Sequence, residues 1–155
     1  MSPAGFIVLF PLAGFLLGAA IEDARTRTIA NGWSLAILVL FVIGFPLGAV
    51  SGALWSHLLH FAIALGVGMA LFAMGWFGGG DAKLYAATAL WFDLGHALHL
   101  FIAVGLAGFV LALVHLSLRL LKRGEGLRHS VRESKLAYGI AIAVGALIAL
   151  PTVLI

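Results

Sequence analysis

Lys83-Leu84-Tyr85-Ala86-Ala87-Thr88-Ala89-Leu90-Trp91-Phe92-Asp93 is an apolar stretch with a charge at each end. Coiled into a helix, it rises only about 16 Å, roughly half the hydrocarbon core of a bilayer. The other apolar runs fall near residues 3–21, 33–50, 57–77, 97–118 and 136–155. Most approach the length a crossing helix needs, about 20 residues. Whether residues 84–92 count as a passage decides the side on which every later residue lies. Either residues 78–81 dip into the membrane to lengthen this run, or it is a partial span, and residues 93–96 supply the turn into the next one.

The composition requires such a setting. Of the 155 residues, 63% are hydrophobic and 10% are charged, with a mean hydropathy of +1.17. A soluble globule averages about 45–50% apolar and roughly 25% charged. There is too little polar surface here to face water, so the chain reads as an integral membrane protein. Within a bilayer each span must be helical, because every backbone group needs an internal partner. The expected fold is an all-α bundle of six transmembrane helices, the fourth short, in one domain over residues 1–155. No cleavable signal sequence is expected, since Met1-Ser2-Pro3 carries no basic group and arginines follow the first run.

Charge sets the expected orientation. Arg25 and Arg27 follow the first run, Lys83 follows the third, and Arg119, Lys122, Arg123, Arg128, Arg132 and Lys135 follow the fifth. The alternate connections, residues 51–56 and 93–96, hold no Lys or Arg. Counting the short run puts all nine basic residues on one side, which the positive-inside rule makes the cytoplasm. Both termini then lie outside. A pI near 9.8 reflects this loop pattern and not nucleic-acid binding. Arg128, Arg132 and Lys135 share a helical face, and the whole basic loop is expected to meet anionic lipid headgroups.

The same parity brings two carboxylates to one membrane face. Asp23 ends the first run; Asp81 follows Gly78-Gly79-Gly80 after the third. Asp81 alone could simply cap a helix N-terminus, where free N–H groups and the dipole favour it. Three consecutive glycines are costly to order, however, so a close backbone approach or a flexible segment is expected. A neighbouring pair of carboxylates holds one proton between them, so one acts as base while the other acts as acid. That is what peptide hydrolysis by water requires. Glu22 rivals Asp23, but adjacent helical residues point about 100° apart, so only one can face Asp81. Lys83 is expected to meet a lipid phosphate.

Asp23 followed by Ile29 and Asn31, then Gly78-x-Gly80-Asp81-x-Lys83-Leu84, resembles the two-part GxGD signature of the type IV prepilin peptidases. The resemblance covers nearly the whole chain, including the six spans. It implies a membrane aspartic endopeptidase that cleaves the basic leader of prepilins or pseudopilins at the cytoplasmic face of the inner membrane. Asp23 and Asp81 would be the catalytic pair, with Gly78, Gly79, Gly80, Lys83 and Asn31 around them and no cofactor. Ala30 stands where many members have proline. Longer members carry an N-terminal cytoplasmic domain with cysteine pairs, associated with N-methylation. This chain has no cysteine, so it looks like the short form of Flp/Tad-type pili, without methyltransferase activity.

Other readings start from other residues. The glycines could form a hinge and the acids a cation site in a non-enzymatic assembly or transport subunit. A presenilin-like intramembrane protease would place its first Asp within a span. His57/His60 and His96/His99 form two i, i+3 pairs near the outer face, with Asp93 close by. They could bind zinc or copper; histidines facing headgroups are preferred here. His115 is expected to be packed and hydrogen-bonded. Gly14/Gly18, Gly44/Gly48 and Ala141/Gly145/Ala149 are spaced by four and suggest close helix packing.

Overall fold

A computed structural model describes residues 3–121 and 137–153. The regular structure among them is entirely helical. In chain order the helices are α1 (Pro3–Thr26), α2 (Asn31–Gly44), α3 (Leu54–Ala73), α4 (Gly79–Ala89), α5 (Ala97–Leu121) and α6 (Tyr138–Ala149). A 3-10 turn, Leu94–His96, leads into α5, and another, Leu150–Val153, follows α6. Three segments are long and apolar enough to cross a membrane: Ile7–Thr26, Leu54–Ala73 and Leu94–Leu118.

The second run differs from its expected length. It was read as a span over residues 33–50, but its helix ends at Gly44 after 14 residues. Pro46 has no N–H to donate and its ring collides with the preceding turn. The chain then folds back, with Ala49 N–H on the Gly44 carbonyl at 3.0 Å and Gly48 at φ +71°, a conformation glycine adopts without strain. Gly48 is therefore not on a helix face with Gly44.

The short helix α4 is the centre of the bundle. It packs on α2, α3 and α6, while α1 packs on α2 and α6, and α5 on α6. Ala82, Leu84, Ala86, Ala87, Ala89, Trp91 and Phe92 are completely buried. Small residues permit this closeness, as in membrane bundles generally. A Cβ on Gly68 would stand 3.0 Å from that of Ala82, and one on Gly44 would stand 2.7 Å from Val8. Gly18 lies under the Trp33 ring, and Gly145 against the Val104 backbone. Gly14 meets nothing within 4 Å, so that expected packing position faces outward instead.

A helix that stops inside an apolar bundle leaves its last carbonyls without partners, which is costly where no water reaches them. Two histidines answer this. His57 Nδ1 donates to the Leu90 carbonyl and His60 Nδ1 to the Phe92 carbonyl, each at 2.9 Å. His57 Nε2 lies 3.1 Å from the Ser51 carbonyl. Trp91 Nε1 donates to the Ile37 carbonyl, and the Leu94 N–H to Ser56 Oγ. The expectation that these histidines face headgroups is thus corrected: His57 is fully buried and His60 nearly so. His96 instead bonds Asp93 through its ring and its backbone N–H. Burial pushes the Asp93 carboxyl up, but these bonds and the neighbouring imidazoles outweigh it and hold it below the usual range. No group of three or more His, Cys, Asp or Glu among the described residues is placed to hold a metal. His115, expected to be hydrogen-bonded, finds no partner for its Nε2 among the described residues.

The cap carries a prediction. His57→Phe and His60→Phe keep the bulk but lose the donor. Each should destabilise the bundle by about 1–3 kcal/mol, the cost of a buried polar group left unpaired. Thermal unfolding in detergent measures this; unchanged midpoints would show that the bonds do not matter.

Candidate active site

Helix α1 continues past its apolar run and carries Glu22 and Asp23 in its final turns. It ends where Arg27 turns left-handed, at φ +58°, with its N–H on the Asp23 carbonyl at 2.9 Å. Thr28, Ile29 and Ala30 then run non-helically into α2; β-branched residues disfavour helix here.

The two adjacent acids separate as the 100° helical step requires. Glu22 Oε2 accepts the Trp33 Nε1–H at 2.6 Å and the Ala30 N–H at 3.1 Å. It therefore pins the start of α2. Asp23 is buried, only 5% exposed, and its Oδ2 accepts the Gly139 N–H at 2.8 Å. Gly139 belongs to the first turn of α6, where backbone N–H groups lack intrahelical partners and the dipole favours an anion.

Asp81 sits in the first turn of α4, and its carboxyl packs back against Gly78 at the cap. A third helical residue reaching back to the cap occupies the acidic position of a capping box. The charge of Asp23 acts on the Asp81 carboxyl. The ends of α1, α4 and α6 therefore gather both acids at one end of the bundle. His57, Leu90 and Asp93 occupy the other.

Of the two expectations for the glycines, close approach is the one the packing shows. Gly78 caps α4 in extended conformation, and Gly79 and Gly80 are its first residues. Small size is what the packing uses. A Cβ on Gly78 would collide with the Asp81 carboxyl. One on Gly79 would stand 3.2 Å from the Phe72 ring, and one on Gly80 3.1 Å from both the Cβ and the carbonyl of Ile29. The left-handed glycine of this turn is Gly75, at φ +76°. Lys83 departs from its expected phosphate partner: Nζ donates to Asn31 Oδ1 at 3.0 Å and ties α4 to α2.

Sequence reasoning missed Gly139. A Cβ there would stand 2.9 Å from Asp23 Oδ2 and 3.0 Å from Ile29 Cδ1, so only glycine brings this N–H to the carboxyl without displacement. Its signal was available: a glycine opening the last apolar run, on the side where the acids lie. Of the residues expected to bind lipid headgroups, Lys122, Arg123, Arg128, Arg132 and Lys135 lie outside the described residues.

Fold and site together define a helical membrane protein that gathers two buried or half-buried carboxylates at one end of its bundle. Residues 10–113 match the type IV leader peptidase family, and the chain belongs to it. Neither the curated proteins nor the solved structures give a match. The matched stretch contains Asp23 and Asp81; α6, with Gly139, lies beyond it.

Proposed function

We propose that this protein is an aspartic endopeptidase that removes the basic leader of Flp-type prepilins. The reaction would occur at the cytoplasmic face of the inner membrane. The observation that carries the reading is that Asp23, at the end of α1, and Asp81, at the start of α4, lie at one end of the bundle within reach of each other's charge. Membership of the leader peptidase family supplies the class of substrate. All six helices would count as passages, α4 as an internal partial one, with both termini outside.

Water hydrolyses the leader junction in this scheme. One carboxylate takes a proton from the water, and the other, protonated, gives one to the carbonyl oxygen or the leaving amine. A pair sharing one proton supplies both roles at once. Glu22 takes no part, because Trp33 and Ala30 occupy it. Lys83 and Asn31 hold the two halves of the site in register.

Co-expression with a prepilin from the same genome tests the proposal. The mass of the pilin N-terminus should fall by that of its leader, and a leader left intact would refute the activity. Purified protein should keep its activity in strong chelators; loss to chelation and recovery with zinc would overturn the two-carboxylate scheme.

A further inference from the structure

A groove of about 890 Å³ runs along the bundle between α3 and α5. Helix α3 packs on α4 and α5 on α6, which leaves the space between α3 and α5 open along its length. Val67 and Leu71 line one wall and Phe101 and Gly105 the other, with Tyr85 and Tyr138 in the floor. Apart from those tyrosines and His60 at the far end, the lining is apolar. Both walls belong to segments long and apolar enough to cross a membrane. The groove therefore opens sideways into lipid.

Its length and direction suit a helix. Along α5 it reaches from Ala97 to Ala112, about 22 Å at the helical rise, most of a hydrocarbon core. Gly105 is exposed in its wall with nothing within 4 Å. Glycine on a membrane helix ordinarily marks where another helix comes close, and among the described residues no second helix lies there. The floor leads onto both acids. Tyr85 is one turn beyond Asp81, on the same face. Tyr138 stacks edge-on with Phe77, centroids 5.5 Å apart, and precedes the Gly139 that holds Asp23. Three carboxylates, Glu22, Asp23 and Asp81, cluster at that end.

We propose that this groove docks the apolar helix of the prepilin, lengthwise between α3 and α5, with its basic leader end at the aspartates. The proposal rests on the peptidase reading and adds where the substrate lies. The groove runs onto the aspartates, where a junction at the start of an apolar helix would have to lie, and the small-residue wall admits a helix backbone. An acyl chain would need neither.

The chain has no cysteine, so one introduced thiol is unique. Gly105→Cys is compared with Gly14→Cys, which lies on α1 with open space around it and outside the groove. Both carry Asp81→Asn, to keep the substrate whole. A prepilin with single cysteines along its apolar helix is co-expressed and oxidised. Gly105→Cys should form disulfides with prepilin positions spaced by three and four, at least tenfold more than Gly14→Cys. Equal linkage at both positions, none at Gly105, or a Gly105–Gly105 link between two copies would overturn the docking. The unmodified chain reads the activity separately. Cleavage without Gly105 linkage sinks the groove and leaves the peptidase standing. Linkage without cleavage does the reverse.

Discussion

Asp23→Asn and Asp81→Asn should each stop leader removal from a co-expressed prepilin, whereas Glu22→Gln should leave it running. The expected loss is at least about 10²–10⁴-fold, the range a general acid or base supplies. The substitutions separate proton transfer from folding. Asn at position 23 still accepts the Gly139 N–H, and Asn at 81 keeps the shape that packs against Gly78. Gln at 22 likewise still accepts from Trp33 and Ala30. All three variants should insert and unfold like the parent, so a difference in processing reads the chemistry. Pilin mass after co-expression measures it, with membrane-fraction yield as the control. Normal processing in either Asp variant would end the assignment, and a dead Glu22→Gln beside an active Asp23→Asn would exchange the two roles.

Gly139→Val should be nearly as damaging, although residue 139 carries no reactive group. Even the first carbon of the new side chain stands 2.9 Å from Asp23 Oδ2 and 3.0 Å from both Asp23 Cβ and Ile29 Cδ1. Either the carboxyl moves or the start of α6 does, and in both cases the 2.8 Å bond from Gly139 N–H is lost. Displacing a reacting group by about 1 Å can cost about 10²-fold, and a comparable fall in turnover is expected. Gly14→Val, where nothing lies within 4 Å, should process normally. Turnover within twofold of the parent in Gly139→Val would show that α6 does not hold the acid. The assay is the rate of leader release by purified protein in detergent.

Helix number and the placement of both acids at one end were legible because they follow from apolar length and loop charge, which are local properties. Counting residues 84–92 as one passage put Asp23 and Asp81 at the same level, and the structure brings them to one end of the bundle. What could not be read depends on contacts between distant segments. His57 and His60 looked like interfacial groups because nothing in their own neighbourhood shows that α4 ends beside them. Their partners, the Leu90 and Phe92 carbonyls, appear only once α4 is buried. Lys83 was paired with lipid for the same reason: Asn31 reaches it only when α2 and α4 start side by side. The early end of α2 was legible in Pro46, but the long apolar run concealed it.

The shortness of α2 has a consequence for the lipid around the protein. Its outer face is apolar, with Leu35, Val39 and Val42 exposed, yet its 14 residues rise only about 21 Å. An average hydrocarbon layer is about 30 Å thick. On that flank the bilayer must thin or the helix end must sink, at a cost of fractions of a kcal/mol per Å of mismatch. Helix α2 begins at Asn31, which Lys83 ties to the start of α4, so the mismatch falls on the flank that carries Asp81.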